Sequence, residues 1–152
     1  LKIDQYCWHS FGVLHHLRKA VTLAITFRTD PFPSNDEMND LWAWAWDDFD
    51  IRDFTGILAR SLAHVGAYDG ERLIGFVNVA WDGGLHAFLL DTSVHPKFRK
   101  QGIATDLVKQ AEMLARERGA HWLHVDFEAH LTGFYRACGF QLTGAGLIKL
   151  QP

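Results

Sequence analysis

The stretch Val94-His95-Pro96-Lys97-Phe98-Arg99-Lys100-Gln101-Gly102-Ile103-Ala104 leads from an apolar run into the most regular helical pattern of the chain. A helix N-terminus presents unpaired backbone N–H groups and a partial positive charge of about half an electron. Phosphate oxygens suit such a site. Gly102 removes the side chain where a ligand would approach the backbone, Ala104 keeps the first turn small, and Arg99 and Lys100 add positive charge. By itself the turn is equally an ordinary strand-to-helix junction with surface basics, because short glycine motifs have many false positives.

A second group of reactive side chains lies further along. In His121 to Glu128, strand alternation puts Trp122, His124, Asp126 and Glu128 on one face and Leu123, Val125 and Phe127 on the other. Polar residues at alternate positions of an interior strand indicate a wet cleft. An imidazole titrates near neutrality and suits proton removal, so His124 is a candidate base, with His86 and Asp91 of the preceding strand as rivals. The His and Cys spacings give no compact zinc set, and no metal is expected. Cys138 reads as a small apolar residue rather than a nucleophile.

Arg99-x-x-Gly102-x-Ala104 resembles the R/Q-x-x-G-x-G/A acyl-CoA-binding motif of the GNAT superfamily of N-acetyltransferases, with the usual Val-x-Pro lead-in present as Val94-His95-Pro96. About 40 residues on, Phe134-Tyr135-Arg136-Ala137-Cys138-Gly139-Phe140 resembles the family segment F-Y-x-x-x-G-F. The resemblance covers roughly Arg72 to Leu150. It implies acetyl-CoA as co-substrate, its pyrophosphate on the amides from Arg99 or Lys100 through Gln101, Gly102, Ile103 and Ala104 to Thr105. The pantetheine arm would lie in a splay between two strands, pairing with backbone near Thr92 to Val94. Tyr135 matches the family tyrosine that protonates the leaving thiolate. His124 stands in a Leu-His-Val context where some members carry a Glu base. Glu128-Ala129-His130 replaces the Asn that often follows this strand.

These groups need a scaffold. Ala20 to Thr29 reads as a strand ending at the Asp30-Pro31-Phe32-Pro33 turn, and Ser34-Asn35-Asp36-Glu37 has the form of a capping box opening a helix to about Asp47. A second helix is expected from Phe54 to His64. Strands His64 to Tyr68, Arg72 to Trp81 and Leu85 to Val94 follow as an antiparallel meander joined by Asp69-Gly70 and Asp82-Gly83-Gly84. In the helix Gly102 to Arg118, Ile103, Ala104, Leu107, Val108, Ala111, Leu114 and Ala115 share one face. Strand His121 to Glu128, short helix Thr132 to Ala137 and a closing strand Phe140 to Lys149 complete the order β-α-α-β-β-β-α-β-α-β. This predicts a single α/β domain over residues 20–152, preceded by an arm over 1–19. Its GNAT-like mixed sheet has an antiparallel first part, a parallel splayed pair, and helices on both faces.

The 152 residues carry 15 Lys plus Arg against 18 Asp plus Glu, a formal charge of −3. That balance argues against a nucleic-acid-coating protein. With 48% hydrophobic and 22% charged residues the chain is not a disordered one. No apolar run approaches the roughly 20 residues that span a bilayer, so no membrane partner is expected. Two cysteines, Cys7 and Cys138, fit a reducing, cytoplasmic setting.

Six Trp, 11 Phe and three Tyr make the chain 13% aromatic. Trp42, Trp44, Trp46 and Phe49 gather beside Asp47-Asp48-Phe49-Asp50-Ile51-Arg52-Asp53. On a helix Trp42 and Trp46 share a core stripe with Met38 and Phe49, leaving Trp44 for a pocket wall or a subunit contact, which keeps a homodimer open. An acidic rim attracts an ammonium group, so Trp44, Asp48 and Asp50 are expected on the acceptor side. The function expected from the resemblance is acetyl transfer from acetyl-CoA to a primary amine by direct attack in a ternary complex. The alternatives are transfer to a protein lysine or N-terminus, and a non-catalytic acyl-CoA-binding regulatory domain.

Overall fold

The fold is that of a computed structural model describing residues 24–46 and 50–150. Strand β1 (Thr26–Thr29) is the described end of the first expected strand; residues 20–23 and the arm over 1–19 lie outside the described residues. The capping box forms as expected. The Ser34 amide and hydroxyl both donate to Glu37 Oε2 at 2.8 Å, the Glu37 amide donates back to Ser34 Oγ at 3.3 Å, and α1 (Asn35–Trp46) follows. Helix α2 (Thr55–Leu58) is a single turn, not a helix to His64, because Ala63 and His64 already belong to β2 (Ala63–Asp69).

The meander continues through β3 (Arg72–Trp81) and β4 (His86–Val94). A 3-10 turn at Pro96–Phe98 leads to α3 (Ile103–Glu117), then β5 (Trp122–Val125), a second 3-10 turn at Ala129–Leu131 and α4 (Thr132–Ala137). The sheet order is β1-β2-β3-β4-β5, antiparallel up to β4 and parallel between β4 and β5.

Alternating side chains divide the interior into two layers. On one face Val65, Ala67, Ile74, Val77, Val79, Ala87 and Leu89 pack against Ile103, Leu107, Val108, Ala111 and Ala115 of α3. Met38, Leu41 and Trp42 of α1 cover Tyr68, Leu73 and Phe76 on the other, with Phe54 and Leu58. Burying a Leu, Val or Phe side chain fully contributes roughly 1.5–3 kcal/mol, so these two layers hold the helices to the sheet.

Two departures from expectation shape the rest of the molecule. β5 ends at Val125 instead of Glu128. Residues 140–150 form no strand, and from Gln141 to Leu150 every residue is exposed. The physical reason lies in the segment itself. Gly144 and Gly146 weaken strand character, and adjacent Leu147 and Ile148 break the alternation that would keep one face apolar.

Candidate active site

The turn from β4 into α3 has the backbone of an anion cradle. Lys100 and Gly102 both lie in the left-handed region, with φ of 61° and 85°. Gly102 is the N-cap, and a Cβ built there would meet nothing within 4 Å. The first helical bond runs from the Asp106 amide to the Gly102 carbonyl. The amides of Ile103, Ala104 and Thr105 therefore have no partner within the helix. The Ile103 side chain is buried in the α3 layer and Ala104 is half-buried, so both are anchored from behind.

The side chains of the turn behave differently from its backbone. Arg99 donates through Nε to the Val94 carbonyl at 3.0 Å and through Nη2 to the Ala45 carbonyl at 3.2 Å. It clamps the end of β4 to the last turn of α1, where carbonyls concentrate partial negative charge. Gln101 reaches back to the Lys97 carbonyl at 3.4 Å. Lys100 is exposed. His95 is buried, accepts from the Lys97 amide at Nδ1 and lies 3.3 Å from Arg72 Nη2 through Nε2. Burial first, then Arg72, holds its pKa below the ordinary value, so it serves as a neutral peg.

β4 and β5 pair only from His86↔Trp122 to Leu89↔Val125. Beyond Leu89, β4 runs on to Val94 with no ladder partner on its β5 side among the described residues, a splay at the point where the turn opens. β4 is also bulged there. Phe76 pairs with Ser93 and Asn78 with Leu90, so Asp91 and Thr92 oppose one residue of β3, and Asp91 has φ of 60°. Tyr135 of α4 is buried beside the splay among Phe127, Phe134 and Phe140. Burial raises its pKa and the neighbouring Thr92 hydroxyl lowers it, with a net rise, so the phenol keeps its proton at neutral pH. Thr92 Oγ1 is buried with no close hydrogen bond of its own, which leaves the pair adjacent rather than tightly bonded. Cys138 is half-buried, and burial raises its thiol.

The opposite side of the splay is the sheet face that carries His124. His86 Nδ1 lies 2.8 Å from His124 Nε2, and Phe88 stacks on the His124 ring at 5.0 Å between centroids. His124 and His86, the two candidate imidazoles of this face, therefore form one hydrogen-bonded pair. Asp91 stands further along β4, partly buried. Burial raises its carboxyl pKa, while Asn78 and Arg52 pull it down less strongly.

Over this face hangs the last turn of α1. Trp42 is buried as expected, but Trp46 is half-exposed instead of joining the core stripe. Its Nε1 donates to Ser93 Oγ at 2.7 Å, and Ser93 Oγ donates to the Asp91 carbonyl at 2.9 Å. Trp44 is exposed and approaches His95 at 5.3 Å between ring centroids. Asp50 is exposed on the connection to α2, and Asp48, with Asp47 and Phe49, lies outside the described residues. Trp46, Ser93 and Asn78 escaped sequence reading because nothing local marks a bond across 47 residues. Among the described residues no group of three or more His, Cys, Asp or Glu is placed to hold a metal ion, and no helix is long and apolar enough to cross a membrane.

An amide-lined helix start, a bulged strand and a splayed parallel pair define an acyltransferase-type α/β fold. The sequence profile of the Acetyltransferase (GNAT) family matches residues 22–140, and the chain belongs to that family. A GNAT-family acetyltransferase from Streptococcus pneumoniae TIGR4 is 25% identical with a TM-score of 0.65, covering 84% of this chain and 100% of that one. An aminoglycoside N-acetyltransferase solved in complex with CoA is 22% identical with a TM-score of 0.66, covering 84% and 95%. Glucosamine-6-phosphate N-acetyltransferase from Arabidopsis thaliana shares the fold at 14% identity, with a TM-score of 0.65 and coverage of 83% and 97%. Comparison with curated proteins gives no match. The chain is an N-acetyltransferase.

Proposed function

We propose that this N-acetyltransferase moves an acetyl group from acetyl-CoA to a primary amine by direct attack in a ternary complex. The observation that carries the reading is the meeting of three features at one end of β4. These are the amides of Ile103, Ala104 and Thr105, which have no partner within the helix, the β4 edge from Leu90 to Val94, which has no ladder partner on its β5 side among the described residues, and the buried phenol of Tyr135.

The residues present fit acetyl-CoA. The amides from Lys100 to Thr105 would hold its pyrophosphate, with Lys100 adding charge and Gly102 leaving room. The β4 backbone near Thr92 to Val94 would pair with the pantetheine amides as a further strand would. When bound, the thioester supplies an activated acetyl group. Tyr135 keeps its proton at neutral pH and delivers it to the departing sulfur, whose free thiol has a pKa of about 8.5. The β4–β5 face opposite carries His124, paired with His86, and Asp91 as the candidates to carry the amine's proton away, with Trp44 and Asp50 beside the approach. The structures that share the fold include an aminoglycoside N-acetyltransferase and a glucosamine-6-phosphate N-acetyltransferase, which supports an amine acceptor here but not a particular one.

Tyr135→Phe tests the reading. Turnover should fall on the order of 100-fold or more, while acetyl-CoA affinity by calorimetry stays within twofold. No turnover in the wild type with any amine or peptide, with acetyl-CoA still bound, would instead indicate a binding module.

A further inference from the structure

Deepening the proposed amine acetylation, and resting on it, we infer that the acceptor's ammonium group binds at Asp91 and Asn78, and that Asp91 takes its proton. The geometry further points to a monoamine on an apolar body as the acceptor.

Asp91 is held in an unusual position. It sits in the left-handed region on the bulge of β4, a conformation that costs most residues energy but that Asp and Asn tolerate. The Trp46–Ser93–Asp91 chain of hydrogen bonds fixes the backbone of that bulge from above. The outcome is a carboxylate facing Asn78 and Arg52 beside the splay, where burial dominates its environment.

Asn78 supplies the independent observation. It is 1% exposed, and its Oδ1 has no hydrogen-bond partner, although the rest of the amide faces Asp91. A buried carbonyl oxygen without a donor is rare and costly, and a group carrying several N–H protons would satisfy it and the carboxylate together. An ammonium has three, enough for Asp91 and Asn78 Oδ1. Arg52, the cation facing Asp91 from the α1–α2 connection, is the group an arriving ammonium would displace or share with.

The surroundings set the class of amine. Phe88 and Leu90, on the same strand, and Trp46 above are half-exposed. They form an apolar floor and wall next to the Asp91 carboxylate. A carboxylate anchor flanked by apolar side chains suits an alkyl or arylalkyl monoamine better than a polycation, whose further charges would be desolvated against Phe88 and Leu90.

The protons and electrons balance as follows. Asp91 receives one proton from the ammonium, freeing its lone pair. The nitrogen forms a bond to the thioester carbonyl carbon, and the carbon–sulfur bond breaks with its electron pair going to sulfur. Tyr135 protonates that sulfur and regains a proton from the new amide nitrogen, which retains the third. Asp91 releases its proton to solvent.

The test compares the wild type with Asp91→Asn, a change that preserves shape and suits the same backbone. Phenethylamine and hexylamine are set against spermidine and an aminoglycoside, with acetyl-CoA affinity and melting temperature measured alongside. The expected result is wild-type preference for the monoamines by about tenfold. Asp91→Asn should lose on the order of 100-fold in kcat/KM for them, with unchanged acetyl-CoA affinity and melting. Asn78→Ala should raise KM more than it lowers kcat. An Asp91→Asn enzyme within threefold of wild type would overturn the assignment while leaving amine acetylation intact. So would a loss matched by weaker acetyl-CoA binding or a lower melting temperature. Preference for spermidine or the aminoglycoside would overturn the substrate class. A wild type that acetylates no amine would overturn the parent reading and this one together.

Discussion

The indole N–H of Trp46 donates to Ser93 Oγ over 2.7 Å, tying the last turn of α1 to the bulge of β4. Because Ser93 also bonds the Asp91 carbonyl, the last turn of α1 is linked through one hydroxyl to the bulge of β4. Trp46→Phe keeps the ring and removes the donor. It should cost about 1 kcal/mol of stability and lower kcat/KM for the amine roughly fivefold, which is that energy realised at the bulge. Chemical denaturation and steady-state kinetics measure the two effects, and unchanged kinetics would show that the bond does not set the bulge.

Arg99 and Lys100, adjacent in sequence, should separate in their effects. Arg99 bonds the Val94 and Ala45 carbonyls, so Arg99→Ala should lower stability by about 1 kcal/mol. Lys100 is exposed at the amide turn, and Lys100→Ala should weaken acetyl-CoA binding by a few fold without moving the melting temperature. Calorimetry and thermal melts on both variants check the division. Equal melting temperatures would refute the clamp.

Gly102 combines a left-handed backbone with open space where a side chain would project. Gly102→Ala should fold with a penalty of about 1 kcal/mol and bind acetyl-CoA more weakly. Gly102→Glu places a carboxylate among the amides and should abolish binding by calorimetry. Full affinity in that variant would remove the phosphate from this turn.

His64, like His95, is a buried imidazole that contributes to the acid response of the fold. Its ring is buried between Phe32 and Phe76, and neither nitrogen has a hydrogen-bond partner. Burial lowers its pKa, against a smaller raising effect of Asp30. The unfolded chain therefore binds the proton first. The stabilisation is complete above the ordinary value of 6.5 and is lost as pH falls to the lowered folded value, at up to about 1.4 kcal/mol per pH unit. Urea denaturation between pH 7.5 and 5 should show this slope, and His64→Phe should reduce it, leaving the share of His95. An unchanged slope in the variant would assign the response to other groups.

Local chemistry made much of this protein readable in advance. The Ser34–Glu37 box, the apolar face of α3, and the glycine at its start all act within a few residues, so their types and spacing suffice. The two motifs around Gly102 and Tyr135 were legible for the same reason, and the fold class followed from the order of elements between them. The end of β5 was not legible, since strand length depends on a partner and not on the segment alone; the absent closing strand is different, because Gly144, Gly146 and the adjacent Leu147 and Ile148 already weaken strand character in the segment itself.

The division runs through single residues. Sequence established that Arg99 is a cation beside a phosphate-type turn, but only the folded chain directed its guanidinium to the carbonyls of Val94 and Ala45. His124 was recognisable as a titratable group on a polar face, yet its pairing with His86 depends on the parallel register of β4 and β5. Asp91 and Asn78 came together through a bulge that no run of residue types announces. Residue type determines what a group can donate, accept or protonate; register, burial and contacts across tens of residues decide which partner it meets, because those energies exist only once the chain has closed on itself.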